Sequence, residues 1–281
     1  MIQDGHIGAV DARLLDEITT MVSAAGAAIL AMRAGTLEVR TKADHSPVTA
    51  ADRAAEAAIL EGLARVLPGV AVVSEEAGML CSALPDSFVL VDPLDGTREF
   101  IAGRDEFTVN VAIVAGGRPQ LGVVAAPALG LLWRGIVGHG AERLRLAPGR
   151  PAGAADERSP IRTRPAPATR LVAAASRSHL DPATQAFLSR LSIEECVTCG
   201  SAVKFCQVAE GVADVYPRLS TTCEWDVAAG HALVEAAGGA VTGPQGAPFR
   251  YGNAAAHYRI DAFVAWGDPA LVAQASATTA G

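Results

Sequence analysis

The sequence has 281 residues, of which 50% are hydrophobic, 19% charged and 5% aromatic. A chain of this length is expected to form one large domain or two closely packed halves, with a core that needs no disulfide or metal to fold. Its 23 Lys and Arg against 30 Asp and Glu give a formal net charge of −7. This acidic balance argues against a general nucleic-acid binder, but it allows a small anionic substrate held by a few groups or by metal ions.

Hydrophobic periodicity predicts two helices in the first part of the chain. Apolar residues from Leu14 to Met32 recur every three or four positions, and Gly35 is well placed to end that helix. A short strand is predicted at 37–41, and a second helix from about Ala50 to Leu67. The most apolar stretch of the first helix is shorter than the ~20 residues that a membrane span needs, so no transmembrane segment is expected.

Short apolar runs predict the strands that follow. Runs at 70–73 and 88–91 are of the buried type, and both end in acidic residues. Runs at 107–114 and 121–126 predict an antiparallel pair, and 131–137 predicts a further strand.

The segment 146–168 is rich in Pro, Gly, Ala and Arg without an apolar period, which predicts a loop or linker. After it, strands at 171–175, 197–199, 213–216 and 262–266 alternate with helices that begin near Pro182, Ser201 and Trp225. The order predicts an α/β fold, a layered sandwich with mixed sheets. The expected division is an N-terminal half over 1–145 and a C-terminal half over 169–281.

The N-terminal and cysteine patterns predict a cytoplasmic location. Residues 1–10 contain no Lys or Arg and no apolar core, so a signal peptide is not expected. An odd set of five cysteines favours a reducing compartment over a disulfide framework. Cys196 and Cys199 form a lone C-x-x-C, for which two reduced thiols in or beside a strand are a better interpretation than zinc or redox chemistry.

The most informative segment is Val-Asp-Pro-Leu-Asp-Gly-Thr at 91–97. Pro93 disfavours helix at Asp92, and Gly96 permits a tight turn, so the loop can aim Asp92, the Leu94 carbonyl and Asp95 at one point. Carboxylate and carbonyl oxygens are ligands that suit Mg²⁺. An ordinary surface turn is the alternative, because Asp-Pro and Asp-Gly pairs are common turn formers.

Two further acidic elements favour the metal interpretation. Glu75 follows the run at 70–73, so it should lie near Asp92 if the two strands are neighbours. Asp226 stands at the start of a helix, where pairing with the helix dipole is the alternative role. Buried like charges repel strongly, and shared divalent cations would resolve that repulsion.

Asp52 has two interpretations. Thr49 and Asp52 fit a capping box, with Thr49 as the N-cap and Asp52 at the third helical position. A carboxylate at a helix start could also orient a water molecule through a hydroxyl partner such as Thr97.

Together these residues resemble the inositol monophosphatase superfamily of metal-dependent, lithium-sensitive phosphatases. Its ordered motifs are matched by SEEAG at 74–78, VDPLDGTREF at 91–100 and EWDVAAGHALVEAAGG at 224–239. Within the superfamily the likeness is greatest to 3'(2'),5'-bisphosphate nucleotidases of the CysQ type, through KADHSPVTAADRAAE, AASRSH and GSAVKFCQVAEGVADVYPR. The resemblance implies a layered α-β-α-β-α sandwich like that of inositol monophosphatase and fructose bisphosphatase.

The resemblance also implies a site. It places two or three Mg²⁺ ions, with Li⁺ as an expected inhibitor, on Glu75, Asp92, the Leu94 carbonyl, Asp95 and Asp226. It assigns activation of the attacking water to Asp52 and Thr97, with Glu75 assisting. It expects the substrate to contact Asp95, Gly96, Thr97, Ser176, His179, Gly200, Lys204 and Asp226. The plainer alternatives are a solvated helix charge for Lys204 and an ordinary loop histidine for His179.

The implied reaction is removal of the 3'-phosphate from adenosine 3',5'-bisphosphate, giving AMP and phosphate. Activity on its sulfated relative PAPS and a role in sulfate assimilation follow from the same resemblance. The alternatives are an inositol or sugar monophosphatase and, less favoured, a non-catalytic nucleotide sensor. The expected partner is a small nucleotide bisphosphate and not a nucleic acid, and the oligomeric state is left open. The expected location is the cytoplasm, with a peripheral position on the cytoplasmic side of the inner membrane as a variant.

Overall fold

A computed structural model describes residues 7–33, 39–41, 47–79, 84–167, 170–176 and 181–273. The α-helices are α1 Ala12–Arg33, α2 Ala50–Val66, α3 Thr97–Ile101, α4 Pro182–Leu188, α5 Val203–Ala209 and α6 Glu224–Ala236. The strands are β1 Val39–Thr41, β2 Pro47–Thr49, β3 Ala71–Ser74, β4 Gly78–Met79, β5 Ser87–Asp95, β6 Thr108–Ala115, β7 Arg118–Ala126, β8 Leu131–Ile136, β9 Gly140–Arg145, β10 Glu157–Ile161, β11 Leu171–Ser176, β12 Ile193–Cys199, β13 Val215–Arg218, β14 Thr222–Cys223, β15 Ala240–Thr242, β16 Arg259–Ile260 and β17 Phe263–Trp266.

Two mixed sheets organise these elements. The larger has the strand order β10-β9-β8-β7-β6-β5-β3-β4, in which β3 and β5 are parallel and the other pairs antiparallel. The smaller has the order β12-β11-β13-β17-β15, with parallel pairing around β11 and antiparallel pairing on β17. The pairs β1-β2 and β14-β16 form two short ribbons.

Alternating burial along the strands shows how the layers stack. In β5, Val89 and Val91 pack with the buried faces of α1 and α2, whereas Phe88 and Leu90 pack with α5 and α6. In β17, Phe263 also faces α5 and α6, whereas Trp266 packs on the opposite side with Phe187 of α4. Because successive strand side chains point to opposite faces, the layers follow as α1/α2, large sheet, α5/α6, small sheet and α4. The predicted α-β-α-β-α sandwich is confirmed.

Helix α1 confirms most of its predicted apolar face. Ile18, Val22 and Ile29 are fully buried, but Met32, predicted on the same face, is 41% exposed because the last turn runs beyond the sheet-facing core. Among the described residues α1 is the one helix long and apolar enough to cross a bilayer, and 56% of the relevant window is buried inside the protein. That burial is typical of a core helix. Gly35 lies outside the described residues.

Helix α6 lies unusually close to the large sheet. At Gly122 in β7, an added Cβ would lie 2.2 Å from the carbonyl oxygen of Ala229, and at Gly135 in β8 it would lie 2.8 Å from Ala236 Cβ. Gly230 of α6 allows a similarly close approach to Phe205 of α5, because a Cβ there would lie 2.3 Å from the Phe205 ring. Glycines therefore set the depth at which α6 is inserted between the sheets.

The segment 146–168, expected to be a loop or linker, contains a strand. β10 pairs with β9 and extends the large sheet by one edge strand. Its side chains do not alternate in burial, since an edge strand is exposed on more than one side, and Pro160 is tolerated there. Preceding residues are fixed on α1, where Gly149 N donates to Ser23 Oγ at 3.0 Å and Ala152 N donates to Thr20 Oγ1 at 3.0 Å.

Replacement of Gly122 by Ala should destabilise the protein strongly. The new methyl group would meet a backbone carbonyl that cannot move without displacing α6, so we expect a loss of about 3 kcal/mol, the upper end for overpacking. Gly153→Ala is the matched control, because a Cβ there meets no atom within 4 Å. Urea unfolding measures both, and equal stability of the two variants would contradict this view of α6 packing.

Candidate active site

The acidic residues at the ends of β3 and β5 lie at one edge of the large sheet. The two strands are parallel neighbours in which Ser74 is opposite Val91, so Glu75 and Asp92 lie side by side. The predicted adjacency of these strands is confirmed. Glu75 N donates to Val91 O at 3.1 Å, and the Glu75 and Asp92 carboxyl groups are themselves hydrogen-bonded.

A backbone irregularity after Asp92 shapes the loop that follows. The β5–β6 register shifts between Asp92 and Asp95, and Asp92 Oδ1 accepts a hydrogen bond from Leu94 N at 3.0 Å. Gly96 then adopts φ 91°, a left-handed conformation that glycine reaches without strain, and α3 begins at Thr97. The segment 92–97, called the metal loop below, thus reverses direction within a few residues.

Asp226 reaches the same region from the other half of the chain. It is the third residue of α6, and its Oδ2 accepts hydrogen bonds from Cys223 N at 3.0 Å and from the Thr222 hydroxyl. One carboxylate oxygen therefore caps the helix. The negative charge of Asp226 helps to raise the pKa of both Asp92 and Asp95.

Asp52 forms the capping box and also contacts Thr97. Its Oδ2 accepts from Thr49 N and Thr49 Oγ1, both at 2.7 Å, which completes the capping box of α2. Its Oδ1 accepts from the hydroxyl of Thr97 at 3.1 Å, which joins the start of α2 to the metal loop. Asp52 is 1% exposed, so this pairing is sheltered from water.

Burial and mutual repulsion govern the proton affinity of the carboxylates. Burial, followed by the charges of Glu75, Asp95 and Asp226, raises the pKa of Asp92 well above its usual value. Burial and then the charge of Asp226 raise the pKa of Asp95 to about 6, against the opposing influence of Lys204 and Arg218. Lys204 and Arg218 therefore do not fully offset the burial and mutual repulsion of these carboxylates.

The donor set fits Mg²⁺. Its carboxylates and the Leu94 carbonyl are hard oxygen donors. Burial and the neighbouring carboxylates raise the pKa of Asp92 and of Asp95, and a divalent cation would offset that repulsion. Within the described ranges, no group of three or more His, Cys, Asp and Glu side chains is arranged to hold a metal ion. Mg²⁺ does not need one, because it usually keeps several waters and binds substrate phosphates alongside one or two carboxylates.

A cavity of about 290 Å³ extends from these carboxylates towards the small sheet. Ser176, Gly200 and Arg218 stand at or just after the ends of β11, β12 and β13, and all three line the cavity. Because these strands are parallel, their carboxyl ends open at the same edge. The predicted contact His179 lies outside the described residues.

Lys204 is not a solvated helix charge. It is 4% exposed, and its Nζ donates to Ser201 O at 2.7 Å and to Cys199 O at 3.3 Å. Nζ also lies 5.3 Å from the centre of the Tyr216 ring, within range of a cation–π interaction. The ammonium group therefore lines the cavity while holding the loop at 199–201.

Arg218 is one of the cavity residues to which the sequence analysis assigned no role. Its guanidinium faces Asp95 and Asp226, and the Tyr216 side chain is a hydrogen-bond partner. Its Nε is buried and has no hydrogen-bond partner among the described residues, a donor left for a ligand or water. Its position after the run at 213–216 was the available signal, since Ser176 and Gly200 also follow strands.

The C-x-x-C pair does not form a site. Cys196 is exposed and Cys199 buried, because residues three apart on β12 lie on opposite faces. Burial raises the pKa of the Cys196 thiol, which disfavours a reactive thiolate.

Comparison with known proteins agrees with the fold and the motifs. Residues 12–266 match the Inositol monophosphatase family. The 3'(2'),5'-bisphosphate nucleotidase CysQ of Escherichia coli (strain K12) is 40% identical over 242 residues, which cover 85% of this chain and 94% of the E. coli protein. The corresponding protein of Buchnera aphidicola is 35% identical, over 82% of this chain and 84% of its own length.

Solved structures give the same result. The crystal structure of CysQ from Bacteroides thetaiotaomicron superposes with a TM-score of 0.76 at 34% identity, covering 92% of this chain and 97% of the other. Inositol monophosphatase from Anabaena superposes with a TM-score of 0.74 at 27% identity, covering 95% of each chain. The chain therefore belongs to the inositol monophosphatase family.

Proposed function

We propose that this chain is a Mg²⁺-dependent 3'(2'),5'-bisphosphate nucleotidase that converts adenosine 3',5'-bisphosphate to AMP and phosphate. The observation that carries the proposal is one cavity lined by Glu75, Asp95 and Asp226 together with the cations Lys204 and Arg218. Similarity to the nucleotidases of E. coli and Buchnera supports the substrate class. Activity on PAPS, a role in sulfate assimilation, cytoplasmic location and inhibition by Li⁺ belong to the same proposal.

The N-terminal half would supply the reacting end of the cavity. Glu75, Asp92, the Leu94 carbonyl and Asp95, with Asp226 from the C-terminal half, would hold two or three Mg²⁺ ions. When bound, Mg²⁺ supplies neutralisation of the phosphate charge, activation of water and stabilisation of the leaving alkoxide. Gly96 and Thr97 would meet the scissile phosphate with backbone N–H groups.

Asp52 and Thr97 would handle the proton of the attacking water. The Thr97 hydroxyl lies 3.1 Å from Asp52 Oδ1 and 3.2 Å from Leu94 O, and when it donates to Asp52 its oxygen can accept a proton from the water. Asp52 can take up on Oδ1 the proton that Thr97 passes on, while Thr49 continues to hold Oδ2. Asp52 is thereby both a helix cap and the terminal proton acceptor.

The C-terminal half would recognise the rest of the nucleotide. Arg218 and Lys204 place two cations in the cavity on the side of the small sheet, where the second phosphate of a bisphosphate can be neutralised. Ser176 and Gly200, together with His179, would contact the nucleoside. Two phosphates on one ribose would match a cavity that combines carboxylates able to hold Mg²⁺ with the cations Lys204 and Arg218.

Asp95→Asn tests the metal assignment. We expect phosphate release at saturating Mg²⁺ to fall by about a hundredfold or more, and Mg²⁺ to lose its effect on the melting temperature. The metal-free variant should fold as well as the original, since the substitution removes a charge that burial and Asp226 already disfavour. Asp261→Asn, at an exposed position, is the control that removes the same formal charge elsewhere. Near-normal turnover of Asp95→Asn would refute the assignment.

A pair of variants separates the two roles of Asp52. Asp52→Asn keeps an oxygen for capping but turns an NH₂ group towards Thr97, so kcat should fall about a hundredfold or more with little loss of stability. Thr49→Ala loses the N-cap hydroxyl and should cost about 1 kcal/mol of stability, while kcat should fall less than about tenfold because Thr49 N still donates to Asp52 Oδ2. Urea unfolding and steady-state kinetics measure the two effects. If activity instead falls in proportion to stability in both variants, Asp52 is only a cap.

A substrate panel tests the proposed specificity. At matched Mg²⁺, kcat/KM should be at least about tenfold higher for adenosine 3',5'-bisphosphate than for inositol 1-phosphate or fructose 1,6-bisphosphate, a difference of about 1.4 kcal/mol. Arg218→Met and Lys204→Met should raise KM for the nucleotide more than for inositol 1-phosphate. Arg170→Met is the control, because Arg170 is exposed and pairs only with exposed Glu194 among the described residues. A preference for either sugar phosphate would favour the alternative activities, and equal losses on all substrates would remove the specificity role of both cations.

A further inference from the structure

We propose that Ser201 is a positioning residue that fixes the metal loop from the opposite half of the protein, a role that rests on the proposed function. Ser201 lies between β12 and α5, in the loop held by Lys204. The metal loop spans the end of β5 and the start of α3, about a hundred residues earlier in the chain. The two loops meet through a small set of polar contacts that involve Ser201, Gly200, Asp95 and Glu106.

The backbone of Ser201 is in an unfavourable conformation. Its φ is 51°, in the left-handed region that costs a residue with a Cβ roughly 1–2 kcal/mol. Glycine or asparagine would adopt this conformation at lower cost. A serine held there by its surroundings points to a use for its hydroxyl group.

That hydroxyl group contacts the metal loop directly. Ser201 Oγ lies 2.9 Å from the carbonyl oxygen of Asp95 and 2.9 Å from that of Glu106, so its single proton is shared between two acceptors. In a trans peptide the carbonyl and the following N–H point in opposite directions. By binding the Asp95 carbonyl, Ser201 sets the plane of the Asp95–Gly96 peptide, and hence the direction of the Gly96 N–H.

Both glycines at this junction are required by the contact. A Cβ on Gly96 would lie 2.2 Å from Ser201 Oγ, and a Cβ on Gly200 would lie 2.7 Å from the carbonyl oxygen of Glu106. The space between the loops is therefore already filled by the serine hydroxyl and the Glu106 backbone.

Additional hydrogen bonds fix the positions of Ser201 and Asp95 relative to each other. Gly200 N donates to Glu106 Oε2 at 3.1 Å, and Lys204 Nζ donates to Ser201 O at 2.7 Å. Thr108 Oγ1 lies 3.4 Å from Asp95 Oδ2 and 3.4 Å from Ala202 N. Asp95 is thus supported at its carboxylate by Thr108 and at its carbonyl by Ser201, which also places the cation Lys204.

The inference predicts that loss of the Ser201 hydroxyl weakens metal binding more than it weakens the fold. Ser201→Ala removes the hydroxyl and keeps the strained backbone, whereas Ser201→Gly removes the hydroxyl and relieves the strain. We expect both variants to need roughly tenfold more Mg²⁺ for half of the Mg²⁺-induced rise in melting temperature, and only Ser201→Gly to recover the metal-free melting temperature. Phosphate release should show the same shift in half-activating Mg²⁺, with KM for inositol 1-phosphate at saturating Mg²⁺ changed less than twofold.

The experiment is a Mg²⁺ titration followed by thermal unfolding without substrate, with Ser189→Ala as the control. The Ser189 hydroxyl bonds only to the Ala186 carbonyl among the described residues, so that variant should titrate as the original protein does. The role of the hydroxyl would be overturned if the Mg²⁺ concentration for half of the rise in melting temperature stayed within twofold of the original in Ser201→Ala. It would also be overturned if that concentration returned to the original value in Ser201→Gly. A different result would refute the proposed function itself. If the original protein shows neither a Mg²⁺ effect on melting nor phosphate release, both the proposed function and the role of Ser201 are wrong.

Discussion

Repulsion among carboxylates at one edge of the large sheet is the constraint around which this protein is arranged. Asp92 is 1% exposed and faces Glu75, Asp95 and Asp226, so its environment opposes ionisation unless positive charge is brought in. The protein supplies part of that charge from Lys204 and Arg218, which lower the pKa of Asp95 against the larger influence of burial. Under the proposed function, the remaining negative charge would be balanced by divalent cations. Glu75, Asp92, Asp95 and Asp226 are part of the acidic excess behind the formal charge of −7.

Rigid elements keep these charges together. Glu75 and Asp92 are fixed by parallel pairing of β3 with β5, and Asp226 by a helix whose depth is set by Gly122 and Gly135. Since α6 packs between the two sheets, its first turn is tied to the core of both halves.

Local signals were sufficient for much of the fold and for the acidic residues. The runs before Glu75 and Asp92, together with Pro93 and Gly96, are short-range patterns, and the layered sandwich follows from the order of the elements. Features that depend on distant partners could not be predicted in the same way. β10 has no apolar alternation and exists because β9 offers hydrogen bonds, and the burial of Lys204 depends on Tyr216 and on two loop carbonyls. Arg218 is the last residue of GSAVKFCQVAEGVADVYPR, but its position beside Asp95 and Asp226 depends on residues distant in sequence and could not be read from that segment.

The capping boxes of α2 and α6 have a consequence for how the site assembles. In each helix the aspartate at the third position uses Oδ2 to bind backbone N–H groups at the helix start, and the same carboxyl group belongs to the site. Each aspartate therefore acquires its orientation as its helix forms its first turn. The candidate site would then be assembled in part by helix initiation, and lengthening either side chain by one methylene would disturb both helix nucleation and the geometry of that site.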